Sequence, residues 1–240
     1  MIQGIHRIHE LSPSLTESAM EALRTELITD NEARHVEQVL IEQKEDWRDG
    51  SLTAGPQAAE VKKNKQLHPE SKASKKLCRF LQDKLVSNPL THAYAIPKRV
   101  HSMMFSKSEA GDGYGWHVDN PFTSSGRRDL SFTIALSDPQ TYRGGQLEIQ
   151  GIQSQASFEL QRGEILIYPS SSLHRVKTVH SGVRHVCIGW IESYVKSAED
   201  RELLFNLNAG AQALLSKHGR SEELDLIFQA YTNTLRRLSD

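Results

Sequence analysis

The chain has 240 residues, 38% of them hydrophobic and 25% charged, a balance that suits one large soluble domain, or one with a smaller appendage, and gives it a sizeable core. With 29 Lys and Arg against 30 Asp and Glu the formal net charge is −1, which gives no support to bulk electrostatic binding of nucleic acid or an anionic membrane. Two cysteines, Cys78 and Cys187, make neither a zinc-type pair nor a disulfide framework. Met1 to Arg7 lacks the apolar run of a signal peptide, and no stretch is long and apolar enough to span a bilayer, so the expectation is a soluble cytoplasmic protein.

Residues 1–9 alternate apolar and polar and suggest an edge strand. Ser12-Pro13 is a good helix start, and Leu15, Ala19, Leu23 and Leu27 continue it as one apolar stripe. A second, highly charged helix is expected from about Asn31 to Gln43, on the surface. Trp47 to Pro56 is turn-rich and reads as a long loop. Lys62, Lys63, Lys65, Lys72, Lys75 and Lys76 form the most basic stretch, read as a solvated face or a docking patch for an acidic partner. Pro69 opens a helix with Ala73, Leu77, Leu81 and Leu85 at four-residue spacing, and Asn88-Pro89 ends it.

From residue 91 the pattern changes to short β-rich runs: 99–106, 113–119, 129–137, 144–150, 155–160, 164–168, 173–180 and 183–194. Strands at this spacing, with turns at Gly144-Gly145, Gly163 and Ser181-Gly182, argue for an antiparallel sandwich or barrel. After residue 197 two amphipathic helices follow, one carrying Leu204, Leu207 and Ala211, the other Leu224, Phe228, Tyr231 and Leu235. They read as a packing layer for the sheet, with a homodimer surface as the alternative. The division expected is an N-terminal helical support (1–90), a β core (91–196) and a C-terminal helical region (197–240).

Gly113-Tyr114-Gly115-Trp116-His117-Val118-Asp119-Asn120 holds the strongest chemical signal. Positions i and i+2 of a strand leave the same face, so His117 and Asp119 can grip one metal ion. A third ligand is expected on a neighbouring strand. His174, at the end of the Tyr168-Pro169-Ser170-Ser171-Ser172-Leu173 turn, is the candidate. Two histidines and one carboxylate make the facial triad suited to non-haem Fe(II), whereas structural zinc favours four closed ligands. Arg184 follows His174 by ten residues inside an apolar strand, and a guanidinium buried there needs an anion. Sharing the interior with His174 requires a hairpin centred near Ser181, with Val186, Ile188 and Trp190 inward and His185 and Cys187 opposite. His6, His35, His68, His92, His101, His180 and His185 lack such a constellation and read as structural or solvated.

With these motifs the chain resembles the PKHD-type hydroxylases, a bacterial branch of the prolyl-4-hydroxylase-like Fe(II)/2-oxoglutarate dioxygenases. The likeness extends to Trp47-Arg48-Asp49-Gly50, Ala59-Glu60-Val61-Lys62-Lys63-Asn64, Gly144-Gly145-Gln146-Leu147 and Tyr231-Thr232-Asn233-Thr234. It implies an α+β fold with a double-stranded β-helix (jelly-roll) core. It also implies iron bound by His117, Asp119 and His174, 2-oxoglutarate bound by Arg184, and Tyr114 lining the cosubstrate pocket. L-ascorbate is an implied accessory. The family's usual tyrosine nine residues before the first ligand is Ser108 here.

The resulting expectation is an oxygenase that uses O2, converts 2-oxoglutarate to succinate and hydroxylates a peptidyl proline, another peptide or a small molecule. A metal or 2-oxoglutarate sensor without turnover is one alternative. An AlkB-like nucleic-acid demethylase is another, disfavoured by the neutral charge and the absence of a second barrel arginine.

Overall fold

The computed structural model describes residues 22–53, 55, 59–151 and 155–240. The N-terminal strand and helix start expected within residues 1–21 lie outside the described residues. The first strands are β1 (Leu23–Glu26), β2 (Trp47–Asp49), β3 (Lys62–Lys63), β4 (Lys65–Leu67), β5 (Pro97–Ser108) and β6 (Gly113–His117). After them come β7 (Phe122–Thr123), β8 (Gly126–Arg127), β9 (Leu130–Ala135), β10 (Arg143–Gly144) and β11 (Leu147–Gln150). The series ends with β12 (Gln155–Phe158), β13 (Glu164–Pro169), β14 (His174–Val176), β15 (Val179–Ser181) and β16 (Arg184–Ser193). The helices are α1 (Asp30–Glu42), α2 (Lys72–Ser87), α3 (Pro89–Ala95), α4 (Ala198–His218) and α5 (Glu222–Leu238).

Seven strands form a major antiparallel sheet in the order β1-β13-β9-β16-β5-β4-β2. Five form a minor one, β12-β11-β14-β6-β3. The expected mainly-β core is therefore present, as two sheets whose ladders do not close into a barrel among the described residues. The outer face of the major sheet packs on α1 and α2 through Val36, Leu40, Leu81 and Leu85 against Phe105, Ile134 and Ile167. Its inner face meets the minor sheet across a cavity. This double burial explains why all six residues of β9 are inaccessible.

Several boundaries differ from expectation for local reasons. Leu23 and Leu27 do not continue a helix, because Leu23–Glu26 pairs with β13 over four residues. The Thr29–Glu32 capping box then starts α1, and its buried Ala33, Val36 and Leu40 make it a core helix rather than a surface one. Within the expected loop at 47–56, Trp47–Asp49 forms a strand on β4 and residues 50–53 a 3-10 turn. Helix α2 starts at Lys72 with Ser71 as its cap, not at Pro69. Asn88 ends α2 and also caps α3, its Oδ1 accepting from the amides of Leu90 and Thr91. A stop signal was in fact also a start, with Pro at the first turn. The N-terminal region is not purely helical, since β1 to β4 join both sheets.

At the other end, α4 through Leu204 and α5 through Tyr231, Leu235 and Leu238 pack together with Ile96 and Val195. No helix among the described residues is long and apolar enough to cross a membrane.

Candidate active site

His117 is the last residue of β6 and His174 the first of β14, and the two stand directly opposite each other in the antiparallel register. Asp119 lies beyond the end of β6, so the pair is not held on one strand face as the i, i+2 spacing predicts. The chain turns there and brings the carboxylate inward. His117 Nε2 is 4.0 Å from Asp119 Oδ1 and His174 Nε2 is 3.9 Å from Asp119 Oδ2. One ligand atom from each residue falls within a 4.8 Å cluster.

The donor set fits a divalent metal in its chemistry as well as its spacing. The Nδ1–H of His117 donates to the carbonyl of Gly115 (2.8 Å), and that of His174 to the carbonyl of Ser172 (2.9 Å). With Nδ1 occupied, each ring presents a lone pair at Nε2. Burial, reinforced by His174, pushes the His117 imidazole down to about 4, so it is neutral at physiological pH. The carboxylate is likewise held: Ser131 Oγ and Trp190 Nε1 donate to its Oδ2 at 2.6 and 2.9 Å, leaving Oδ1 for a ligand. Ser170 Oγ lies 2.8 Å from Ser131 Oγ and extends the network. Tyr114 stacks on His117, with ring centroids 3.5 Å apart and planes at 18°. Burial, then the Asp119 charge, raises the Tyr114 hydroxyl to about 12, so it stays a neutral donor.

A cavity of about 500 Å³ opens on the triad, with walls from both sheets. Arg184 does not line it. The guanidinium stands in a small adjoining cleft with Tyr142 and Gly145, and Leu147 forms a wall of both spaces. Tyr168 connects the two: it packs edge-on to His174 at 5.0 Å and lies within the electrostatic reach of Arg184. Arg184 is 6% exposed, and burial lowers its proton affinity while the Tyr142 hydroxyl opposes that shift. The turn at Gly144-Gly145, both with positive φ, makes room for it, since a Cβ on Gly145 would come within 2.7 Å of Arg184 Cδ.

The hairpin expected at Ser181 is not formed. β15 pairs with β10, and the chain crosses over so that β16 pairs with β5 and β9. The facing pattern survives this change in part. Ile188 and Trp190 line the cavity, while His185 and Cys187 face the helices, but Val186, expected inward, is not among the lining residues. Ser108 sits directly opposite Arg184 on β5, and Tyr142 supplies a phenol from another direction.

The sequence reading missed Ser131, Tyr142 and Arg128, which carry no motif and reach the site only through strand pairing and turns, and it gave Tyr168, quoted within the turn before His174, no role at the site. It also misplaced Lys62. That residue is 7% exposed and lines the cavity instead of sharing the solvated lysine face.

This fold and site define a class. The family model of the 2OG-Fe(II) oxygenase superfamily matches residues 103–192. Among solved structures, the fold is similar to a prolyl hydroxylase from Trichoplax adhaerens in complex with a hypoxia inducible factor peptide fragment (TM-score 0.54, 14% identity, 84% of this chain and 94% of that one). It is also similar to a Pseudomonas putida prolyl-4-hydroxylase (TM-score 0.52, 13% identity, 79% and 98%). The epimerase SnoN from nogalamycin biosynthesis shares the fold too (TM-score 0.56, 13% identity, 79% and 84%), so the fold alone does not select the reaction.

Close relatives narrow this. The chain is 53% identical over 220 residues to a PKHD-type hydroxylase of Synechococcus sp. (strain CC9902), covering 92% of this chain and 99% of the relative. It is 53% identical over 228 residues to one of Prochlorococcus marinus (strain MIT 9303), covering 95% and 97%. The chain belongs to the PKHD-type hydroxylases and is a 2-oxoglutarate-dependent dioxygenase.

Proposed function

We propose that His117, Asp119 and His174 hold ferrous iron, that Arg184 holds the distal carboxylate of 2-oxoglutarate, and that the enzyme hydroxylates a peptide or small molecule at the mouth of the cavity. The observation that carries this is the convergence of two Nε2 lone pairs and one free carboxylate oxygen, each fixed by a hydrogen bond on its other polar atom. Bound iron supplies the activation of O2, coupled to loss of CO2 from 2-oxoglutarate. The overall balance is one O2, one 2-oxoglutarate and one C–H bond giving succinate, CO2 and a C–OH group.

The chain's own residues bind and orient. A facial arrangement leaves the side of the site facing the cavity open for cosubstrate and substrate. Arg184 has no carboxylate partner among the described residues, so a distal carboxylate arriving in its cleft meets a guanidinium already stripped of water. Tyr168 packs edge-on to His174 on the cavity side, and Tyr142 lines the cleft with Arg184. Trp190 and Ser131 keep the Asp119 carboxylate from rotating. Ascorbate acts on this reading as an external reductant and needs no site of its own.

Succinate formation from 2-oxoglutarate, measured with and without added Fe(II), tests the proposal. Iron-dependent turnover that is abolished in His117→Ala is expected. Stoichiometric 2-oxoglutarate binding with no succinate would instead establish a sensor.

A further inference from the structure

Lys62 and Arg128 are both on the cavity wall, and among the described residues neither has an ion pair. Lys62 Nζ makes one hydrogen bond, to Thr53 Oγ1 at 3.0 Å, and lies 5.2 Å over the Tyr114 ring. Arg128 lies over Trp190, its guanidinium carbon 3.7 Å from the ring centroid. Its Nε–H is shielded from solvent and has no hydrogen-bond partner. The adjacent Arg127 shows what a structural arginine does here: it pairs with Asp129, Glu192 and Asp240 and donates to the Ser193 carbonyl. Arg128 is left out of that network.

Burial without a counter-charge is costly for any cation. Burial pulls Lys62 down to about 8, with Arg128 adding to the shift and Asp119 opposing it, and it also lowers Arg128. Asp119 is the one carboxylate among the described residues lining the cavity, and Ser131 and Trp190 already hold it. The charges of the loaded site can be counted. Iron at +2 with Asp119 at −1 leaves +1, and 2-oxoglutarate at −2 with Arg184 at +1 leaves −1. The centre is neutral, and the two positive charges of Lys62 and Arg128 remain uncompensated.

We propose that Lys62 and Arg128 form a clamp for a carboxylate group of the primary substrate. A carboxylate fits better than a neutral group because it supplies the counter-charge that both cations lack. Contact with the Trp190 ring holds the Arg128 guanidinium at the cavity wall, where its Nη donors can give a carboxylate charge-assisted hydrogen bonds. Lys62 closes on the same anion as a point charge. The substrate is thereby a carboxylic acid oriented with its anion at this edge of the cavity and its reacting C–H bond toward the triad. This inference rests on the proposed iron and 2-oxoglutarate sites.

The test uses the full chain under anaerobic conditions, saturated with Mn(II) and 2-oxoglutarate so that Arg184 is occupied. Binding of dansyl-glycine and of its neutral amide is followed by fluorescence anisotropy. The carboxylate is expected to bind at least about tenfold more tightly than the amide, the value of one charge-assisted contact. Lys62→Met and Arg128→Gln should each remove at least about threefold of that preference. Both should leave amide binding, Mn(II) affinity and 2-oxoglutarate affinity within about twofold of wild type, and Arg128→Lys should keep part of the preference. Equal affinity for the two probes, or no saturable binding of the carboxylate, overturns the clamp. So does a loss of 2-oxoglutarate affinity matching the loss for the probe, because the two cations would then serve the cosubstrate. Failure of the wild-type protein to bind 2-oxoglutarate at all would instead overturn the underlying site assignment.

Discussion

Ser131 tests whether the orientation of Asp119 is built into the fold. Its hydroxyl donates to Asp119 Oδ2 at 2.6 Å, a short bond to an ionised acceptor, and Trp190 Nε1 supplies the other donor at 2.9 Å. Hydrogen bonds to charged groups contribute about 1.5–3 kcal/mol. Removal of a residue that orients a metal ligand costs about 10–100-fold in affinity, or about 1.4–2.8 kcal/mol. The two ranges coincide, so Ser131→Ala is expected to weaken Mn(II) binding by at least about tenfold. Ser170 touches Ser131 and not the carboxylate, so Ser170→Ala should act only by weakening the hydroxyl chain, at about twofold. Trp190→Phe removes one donor while keeping the ring and should resemble Ser131→Ala. The double variant should fall short of the sum, because both groups act on one oxygen. Calorimetric titration of each purified variant with Mn(II), with melting temperature as a check on folding, reads these effects. A folded Ser131→Ala protein that binds Mn(II) within twofold of wild type would refute the argument.

Arg184→Met should preserve the fold of the metal-free protein, since it replaces a desolvated cation with an apolar chain of similar length, and should raise the KM for 2-oxoglutarate by about two orders of magnitude. Steady-state succinate assays at varied 2-oxoglutarate read this directly, and an unchanged KM would remove Arg184 from the cosubstrate site. The buried Lys62 gives a pH dependence of stability. Folded Lys62 loses its proton at about 8, whereas an unfolded lysine keeps it to about 10.4, so between these values the unfolded chain binds more protons and stability rises with pH. In urea titrations of the metal-free protein, wild type should gain up to about 3 kcal/mol relative to Lys62→Met across that window, and parallel curves would contradict the burial. Phe105→Ala, at a fully buried site where β5 meets the helices, should cost about 3–5 kcal/mol in the same assay.

The amino-acid sequence alone determined the chemical alphabet of the site. His117, Asp119, His174 and Arg184 are legible because their spacing along short β-runs matches a pattern, and an arginine inside an apolar strand demands an anion. The alternation of β16 also placed Ile188 and Trp190 on the cavity side and His185 and Cys187 opposite, because side chains of a strand alternate whatever its partner is, but it did not show that Arg184 and Val186 lie off the cavity. What the partner is was a matter for tertiary structure. The Ser181 turn feeds a crossover between sheets rather than a hairpin, and nothing local distinguishes the two. Asp119 reaches the triad from a loop because the chain bends after His117, and Ser131 and Trp190 find it only when β9 and β16 pair. Lys62 looks solvated in a lysine-rich run, yet pairing of β3 with β6 turns it inward onto Tyr114. Spacing is a property of the chain, and so the residues that cluster as candidate ligands could be read from it. Burial and charge compensation arise only when distant segments meet, and so the cations around those ligands could not.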